Sequence, residues 1–193
     1  MRRVGVFCGS NSGLRSEYLE AARDTGLALV ERGLGLVYGG ANLGLMGEIA
    51  NAVLARGGEV IGVIPESLVA REIAHPRLTD LRIVKSMHER KMMMSDLADG
   101  FIALPGGYGT LEEFFEIVTW AQLGLHAKPC GVLNVCRYYD QLLNFLDQAV
   151  EEQFLREQNR SLILEAEDPR TLLAQFENYQ QVQVTKWIGK GET

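Results

Sequence analysis

At 193 residues, with 47% apolar and 23% charged side chains, the chain has a globular balance and the length of one domain that buries its core without staples. A formal net charge of −6 disfavours nucleic acid and anionic membrane as partners, while a small anion needs only a local cluster of donors. Cys8, Cys130 and Cys136 are odd in number and lack metal-type spacing, so reduced thiols are expected, with no metal and no cofactor.

The N-terminal Met1-Arg2-Arg3 leads into an apolar run too short for a signal-peptide core, and no run is long enough to span a membrane. A cytoplasmic location is the resulting expectation. Residues 1–180 read as one α/β domain, and the polar stretch 181–193 as a tail that frays or docks loosely.

Val4 to Cys8 reads as a buried strand, followed by the small polar turn Gly9-Ser10-Asn11-Ser12-Gly13. Leu19, Ala22, Gly26, Leu29 and Val30 then recur at helical spacing up to the stop at Gly33. Leu34 to Tyr38 is the next strand and Gly39-Gly40-Ala41-Asn42-Leu43-Gly44 a second glycine turn, whose spacing is not the GxGxxG of a dinucleotide site. A helix over Leu45 to Arg56 and a strand over Glu59 to Ile64 follow. From Pro65 to Leu78 the pattern is irregular, as expected of a functional or mobile loop.

Leu81 to Val84 is a fourth strand, and Met87 to Ala98 a helix carrying Arg90 and Lys91. Gly100 to Leu104 is short and apolar, like a parallel strand buried on both faces, and it runs into Pro105-Gly106-Gly107-Tyr108-Gly109 before a helix over Thr110 to Leu125. A strand at Cys130 to Val135, helices over 138–153 and 169–179, and a short strand at Leu162 to Leu164 complete the chain. Alternating strands and helices predict a Rossmann-like, doubly wound parallel sheet with helices on both faces. Its ligand belongs beyond the strand C-termini, where all three glycine turns lie.

The third turn is the most informative. Bare backbone at the start of a helix makes an anion cradle, with Gly106, Gly107, Gly109 and Thr110 as donors and Gly9, Ser10, Gly39 and Gly40 as further candidates. Tight packing alone also selects glycine at such turns. The stretch from Pro105 to Glu113 resembles the PGGxGTxxE signature of the LOG ("lonely guy") family of cytokinin riboside 5′-monophosphate phosphoribohydrolases, with every defined position filled. Met87-His88-Glu89-Arg90-Lys91 is similar to the family's Arg-Lys segment, and likeness extends through Trp120 to Gly124, Gly39-Gly40 and Gly44-Leu45-Met46-Gly47, covering Val4 to about Val150.

The resemblance implies cleavage of the N-glycosidic bond of AMP or an N6-substituted AMP, with water, to free base and ribose 5-phosphate. It implies Arg90 and Glu113 as the catalytic pair. Glu72, Lys91, Tyr108, Leu111, Glu112 and Thr119 join the glycine-turn residues as substrate contacts, and a homodimer is usual. The chemistry agrees, because a carboxylate stabilises an oxocarbenium-like state and activates water while a cation assists departure of the base.

Other readings stand beside these. Thr110-Leu111-Glu112-Glu113 also spells a capping box, in which Glu113 merely closes a helix end. Arg90, Lys91 and Glu72 suit a solvated surface, and His88 and His126 read as structural. Met87, Met92, Met93 and Met94 suit either core or an apolar pocket for a prenyl-like group. At the level of function, the same fold suits a nucleotide carrier without turnover, which has no need of both Arg90 and Glu113. A pyridoxal phosphate-dependent lysine decarboxylase, a label attached to this family, needs a Schiff-base lysine with partners for the pyridine ring, and Lys91 has none apparent. The helix from Thr110 is apolar around much of its girth through Phe114, Phe115, Ile117, Val118, Trp120 and Leu123, which favours a homodimer.

Overall fold

The computed structural model describes residues 1–69 and 74–180. Glu72 and the tail 181–193 lie outside the described residues. A seven-stranded sheet in the order β4-β3-β2-β1-β5-β6-β7 is formed by β1 (Arg3–Phe7), β2 (Gly35–Tyr38), β3 (Val60–Pro65), β4 (Asp80–Val84), β5 (Phe101–Ala103), β6 (Cys130–Leu133) and β7 (Ile163–Ala166). Every neighbouring pair is parallel. The short apolar runs therefore do form strands covered on both faces, as their lack of polar alternation predicts.

The connecting helices are α1 (Ser16–Glu31), α2 (Gly44–Ala55), α3 (Glu66–Val69), α4 (Met87–Leu97), α5 (Tyr108–Gln122), α6 (Asp140–Glu151), α7 (Glu157–Arg160) and α8 (Pro169–Glu177). Because strand side chains alternate, every strand but the edge strand β4 feeds two cores. Val4, Val6, Leu36, Tyr38, Ile102 and Leu104 pack with Ala22 and Leu29 of α1, Ile49 and Val53 of α2 and Leu172 and Phe176 of α8. Phe7, Val37, Phe101 and Ala103 face the other way, onto Met94 of α4, Phe114 and Ile117 of α5 and Leu143 of α6. This is the doubly wound arrangement expected from sequence. Strand order reverses between β1 and β5, so the turns after those two strands flank the crevice where such sheets bind ligands.

Two boundaries differ from the sequence expectation in ways that affect the site. The strand β6 ends at Leu133 and a short 3-10 turn, Val135–Arg137, follows it. At its head α5 begins at Tyr108 with Gly107 as N-cap, two residues earlier than the Thr110 start read from sequence. Thr110 is therefore inside the helix and buried, and Glu113 lies in its second turn. The capping-box reading fails on this geometry, because Thr110 is not the N-cap and Glu113 is not at the third helical position.

Candidate active site

A cleft of about 500 Å³ opens at the C-terminal edge of the sheet, a volume in the range of small-molecule sites. Its walls include Gly9 and Ser10 from the turn after β1, the stretch Pro105 to Thr110 after β5, and Arg90, Glu112 and Glu113 from α4 and α5. Two chain segments far apart in sequence are thus joined. Gly9 N–H donates to the Pro105 carbonyl at 3.0 Å, and Leu45 N–H to the Gly9 carbonyl at 3.1 Å, which ties the first turn to the start of α2. Close approach there needs glycine: a Cβ on Gly44, whose φ is +53°, would lie 2.4 Å from the Ser10 backbone.

The glycines of the third turn have separate reasons. A Cβ on Gly106 would sit 2.1 Å from Thr110 Oγ1, whereas around Gly107 and Gly109 there is open space. Since α5 has no side-chain cap, the N–H groups of its first turn have no partner within the helix and are available to an anion. The helix dipole adds to their effect.

On the opposite wall, Ser86 caps α4 by accepting from Glu89 N–H at 3.1 Å, which fixes the start of the helix one turn before Arg90. Arg90 is buried, and its Nη2 lies 3.4 Å from Glu113 Oε1, the two side chains being only 6% and 11% exposed. Its Nε has no hydrogen-bond partner among the described residues. Space for the guanidinium comes from the second glycine turn, where a Cβ on Gly39 would fall 2.3 Å from Nη2. Cys8, at the floor of the cleft, has its thiol pushed well above the usual range by burial and by the charge of Glu113.

Several expected residues take other places. Gly39 and Gly40 do not line the cleft: Gly39 backs Arg90, and Gly40, at φ +81°, accepts a hydrogen bond from His75 N–H. Lys91 is buried outside the cleft walls, with Nζ 2.5 Å from Glu112 and 3.0 Å from Glu116. Burial alone would lower its pKa, but the two carboxylates more than offset that and raise it. A charged, doubly paired lysine does not suit Schiff-base chemistry, and no lysine lines the cleft among the described residues. Pyridoxal phosphate therefore does not fit this site. Leu111 packs toward the core, and Thr119, on the exposed side of α5, donates to the Phe115 carbonyl at 2.6 Å. Of the four methionines only Met87 lines the cleft, Met94 being core and Met92 exposed. His126 is structural: Nδ1 accepts from Lys128 N–H, so Nε2 donates to the Ile117 carbonyl.

The structure adds wall residues that sequence reading missed, among them Met46, Leu68, Tyr18 and Tyr138. A signal existed for the last, since adjacent tyrosines just after a strand C-terminus stand where ligands bind in these folds.

Fold and cleft together define a Rossmann-like α/β protein in which the uncapped start of α5 and a buried Arg–Glu pair share one cleft. In keeping with the fold, the chain superposes on the molybdenum cofactor carrier protein of Chlamydomonas reinhardtii with a TM-score of 0.70 and 19% identity, over 92% of this chain and 99% of that one. The molybdenum cofactor binding protein of Rippkaea orientalis gives a TM-score of 0.69, also at 19% identity, over 92% and 96%. A family model described as "Possible lysine decarboxylase" matches residues 46–176. The chain is 52% identical over 178 residues to the cytokinin riboside 5′-monophosphate phosphoribohydrolase LOG of Oryza sativa subsp. japonica, covering 92% of this chain and 74% of that one. It is 50% identical over 179 residues to a cytokinin riboside 5′-monophosphate phosphoribohydrolase of Arabidopsis thaliana, covering 93% and 82%. The chain belongs to the LOG family.

Proposed function

We propose that this protein hydrolyses the N-glycosidic bond of AMP or an N6-substituted AMP, releasing the free base and ribose 5-phosphate, as an N-glycosyl hydrolase. The observation that carries the reading is the buried Arg90–Glu113 pair beside the uncapped start of α5. A carrier needs the cradle but has no use for a desolvated carboxylate next to it. In the reaction, the C1′–N bond breaks with its electron pair leaving on the base, and positive charge grows on the ribose. Glu113 stabilises that charge and takes a proton from the water that adds at C1′; it gives that proton up to solvent, from which the departing base takes one to leave as the neutral free base. Arg90 holds the carboxylate in place and, through its remaining N–H groups, stabilises negative charge on the departing base. Met46, Leu68 and Met87 give the cleft an apolar side suited to an N6 substituent.

Gly106, Gly107, Gly109 and Thr110 engage the phosphate in this reading, with Ser10 opposite. Adenosine should therefore be a poor substrate, with kcat/KM lower than that of AMP by about 10²-fold or more, because remote phosphate binding holds C1′ against Glu113. Chromatography of products from AMP, isopentenyl-AMP and adenosine tests this. Equal hydrolysis of AMP and adenosine would remove the phosphate role of the glycine turns.

A homodimer completes the proposal. Of the apolar residues on α5 and its C-cap, Phe114, Ile117 and Val118 are buried in the core, while Phe115, Trp120 and the capping Leu123 remain partly exposed and suit burial against a second copy. Sedimentation at micromolar concentration is expected to give twice the 21.4 kDa chain mass, and the monomer mass alone would refute association. Among the described residues no helix is long and apolar enough to cross a membrane. The unpaired thiols Cys8, Cys130 and Cys136 support a reducing compartment such as the cytoplasm.

A further inference from the structure

The turn after β6 has a shape that costs energy and that its own segment does not explain. Cys136 and Arg137 are consecutive non-glycine residues in the left-handed region, at φ +50° and +60°. Buried Asn134 holds this turn: its Nδ2 donates to Asp140 Oδ1 at 2.9 Å and Glu165 Oε1 at 2.6 Å, and its Oδ1 accepts from Tyr139 N–H at 2.7 Å. The result is that two adjacent phenols are delivered to the glycine loop after β5. Tyr139 Oη donates to the Leu104 carbonyl at 2.6 Å, and Tyr138 Oη to the Gly106 carbonyl at 2.7 Å. Between them, the Pro105 carbonyl accepts from Gly9 N–H. Three successive carbonyls of the loop are each held by a donor from another part of the chain.

A trans peptide is planar, so fixing a carbonyl fixes the N–H of the next residue in the opposite direction. The Gly9 bond thereby sets the Gly106 N–H, and the Tyr138 bond sets the Gly107 N–H. The Tyr139 bond sets no N–H, because the next residue is Pro105. Gly107 needs such support, since among the described residues no neighbouring atom lies within 4 Å of where its Cβ would be. The Tyr138 ring is itself steadied edge-on by Tyr18 at 5.7 Å and Tyr139 at 5.1 Å.

We propose that Tyr138 is a positioning residue that aims the Gly107 N–H into the cleft by donating to the Gly106 carbonyl, and so sets the affinity of the cleft for the phosphate of its ligand. This rests on the phosphoribohydrolase reading for the identity of the ligand, and its test has a binding readout independent of turnover. Tyr138→Phe removes one hydroxyl from a side chain that is 43% exposed and keeps the ring, a mild change for folding. Calorimetric titration with ribose 5-phosphate and with AMP should show Kd raised about tenfold, the scale of one well-placed hydrogen bond. In steady state, KM for AMP should rise by about the same factor with kcat nearly unchanged, while residual adenosine hydrolysis stays at the wild-type rate. Tyr139→Phe should lower Tm and leave phosphate affinity as it was, which separates aiming an N–H from merely bracing the loop. Unchanged affinity in Tyr138→Phe, or equal losses for AMP and adenosine, would overturn the proposal. Wild-type protein that binds AMP without cleaving it would instead overturn the hydrolase reading, with the role of Tyr138 still decided by the titrations.

Discussion

Glu113→Gln should leave a folded protein that binds AMP and hydrolyses it at least about 10³-fold more slowly than wild type, the scale expected when a residue serves both as general base and as stabiliser of developing charge. Glutamine keeps the length of the side chain and an oxygen that can accept from Arg90, so the cleft retains its shape. What it loses is the negative charge that faces the oxocarbenium-like state and the site that takes the proton from water. Arg90 stays buried with a weaker partner, and the cost should be about 1–3 kcal/mol, less than full removal of one side of a buried pair because the amide oxygen remains. Thermal denaturation with and without AMP, together with product chromatography, separates the two effects. Hydrolysis near the wild-type rate would send the search for the catalytic carboxylate to Glu116 or Glu72.

The fold was legible because short, uniformly apolar strands between glycine turns leave few alternatives to a parallel sheet covered on both faces. The turns after β1 and β5 were legible as cleft walls because they follow strand C-termini; the sheet order, which the structure supplies, then sets both where it reverses. The role of the second turn was not. Gly39 carries the same sequence signal as Gly106, yet it makes room for a buried guanidinium rather than for a ligand, and only the packing of α4 against β2 reveals that. Residue type and spacing alone did not separate Arg90 from Lys91 either, and only the family resemblance singled out Arg90. One residue rotates the side chain by about 100° around α4, and that step takes Arg90 to the cleft and Lys91 to the carboxylates of Glu112 and Glu116. The start of α5 was read two residues late, and the capping box stood as an alternative, because Thr110 at the third helical position and Thr110 at the N-cap look alike in a string of letters. Gly106, which needs no Cβ where Thr110 packs, is what lets the helix begin earlier. The bond from Tyr138 to the Gly106 carbonyl was hidden by a left-handed turn at Cys136 and Arg137 that neither residue type advertises.

Arg90→Ala should lower kcat for AMP by about 10²–10³-fold, the scale of one lost electrostatic contact to a leaving group, and should raise KM far less. The guanidinium is buried, is 3.4 Å from Glu113, and sits in a space that Gly39 keeps open, so among the described residues nothing else in the wall supplies the same charge at the same place. Loss of the cation also leaves Glu113 less firmly held, which adds to the kinetic defect and costs stability of a few kcal/mol at most, because water from the cleft can enter the vacated volume. Arg90→Lys distinguishes charge from geometry. An ammonium restores a point charge without the planar fork that reaches carboxylate and base together, so only part of the rate should return. Added guanidinium ion offers a further check, since the space left by Arg90→Ala is shaped for that group, and partial rescue of kcat would place the effect in the cleft rather than in folding. An Arg90→Ala protein with wild-type kinetics would make Arg90 a structural counter-ion for Glu113 and leave departure of the base to be assisted by solvent.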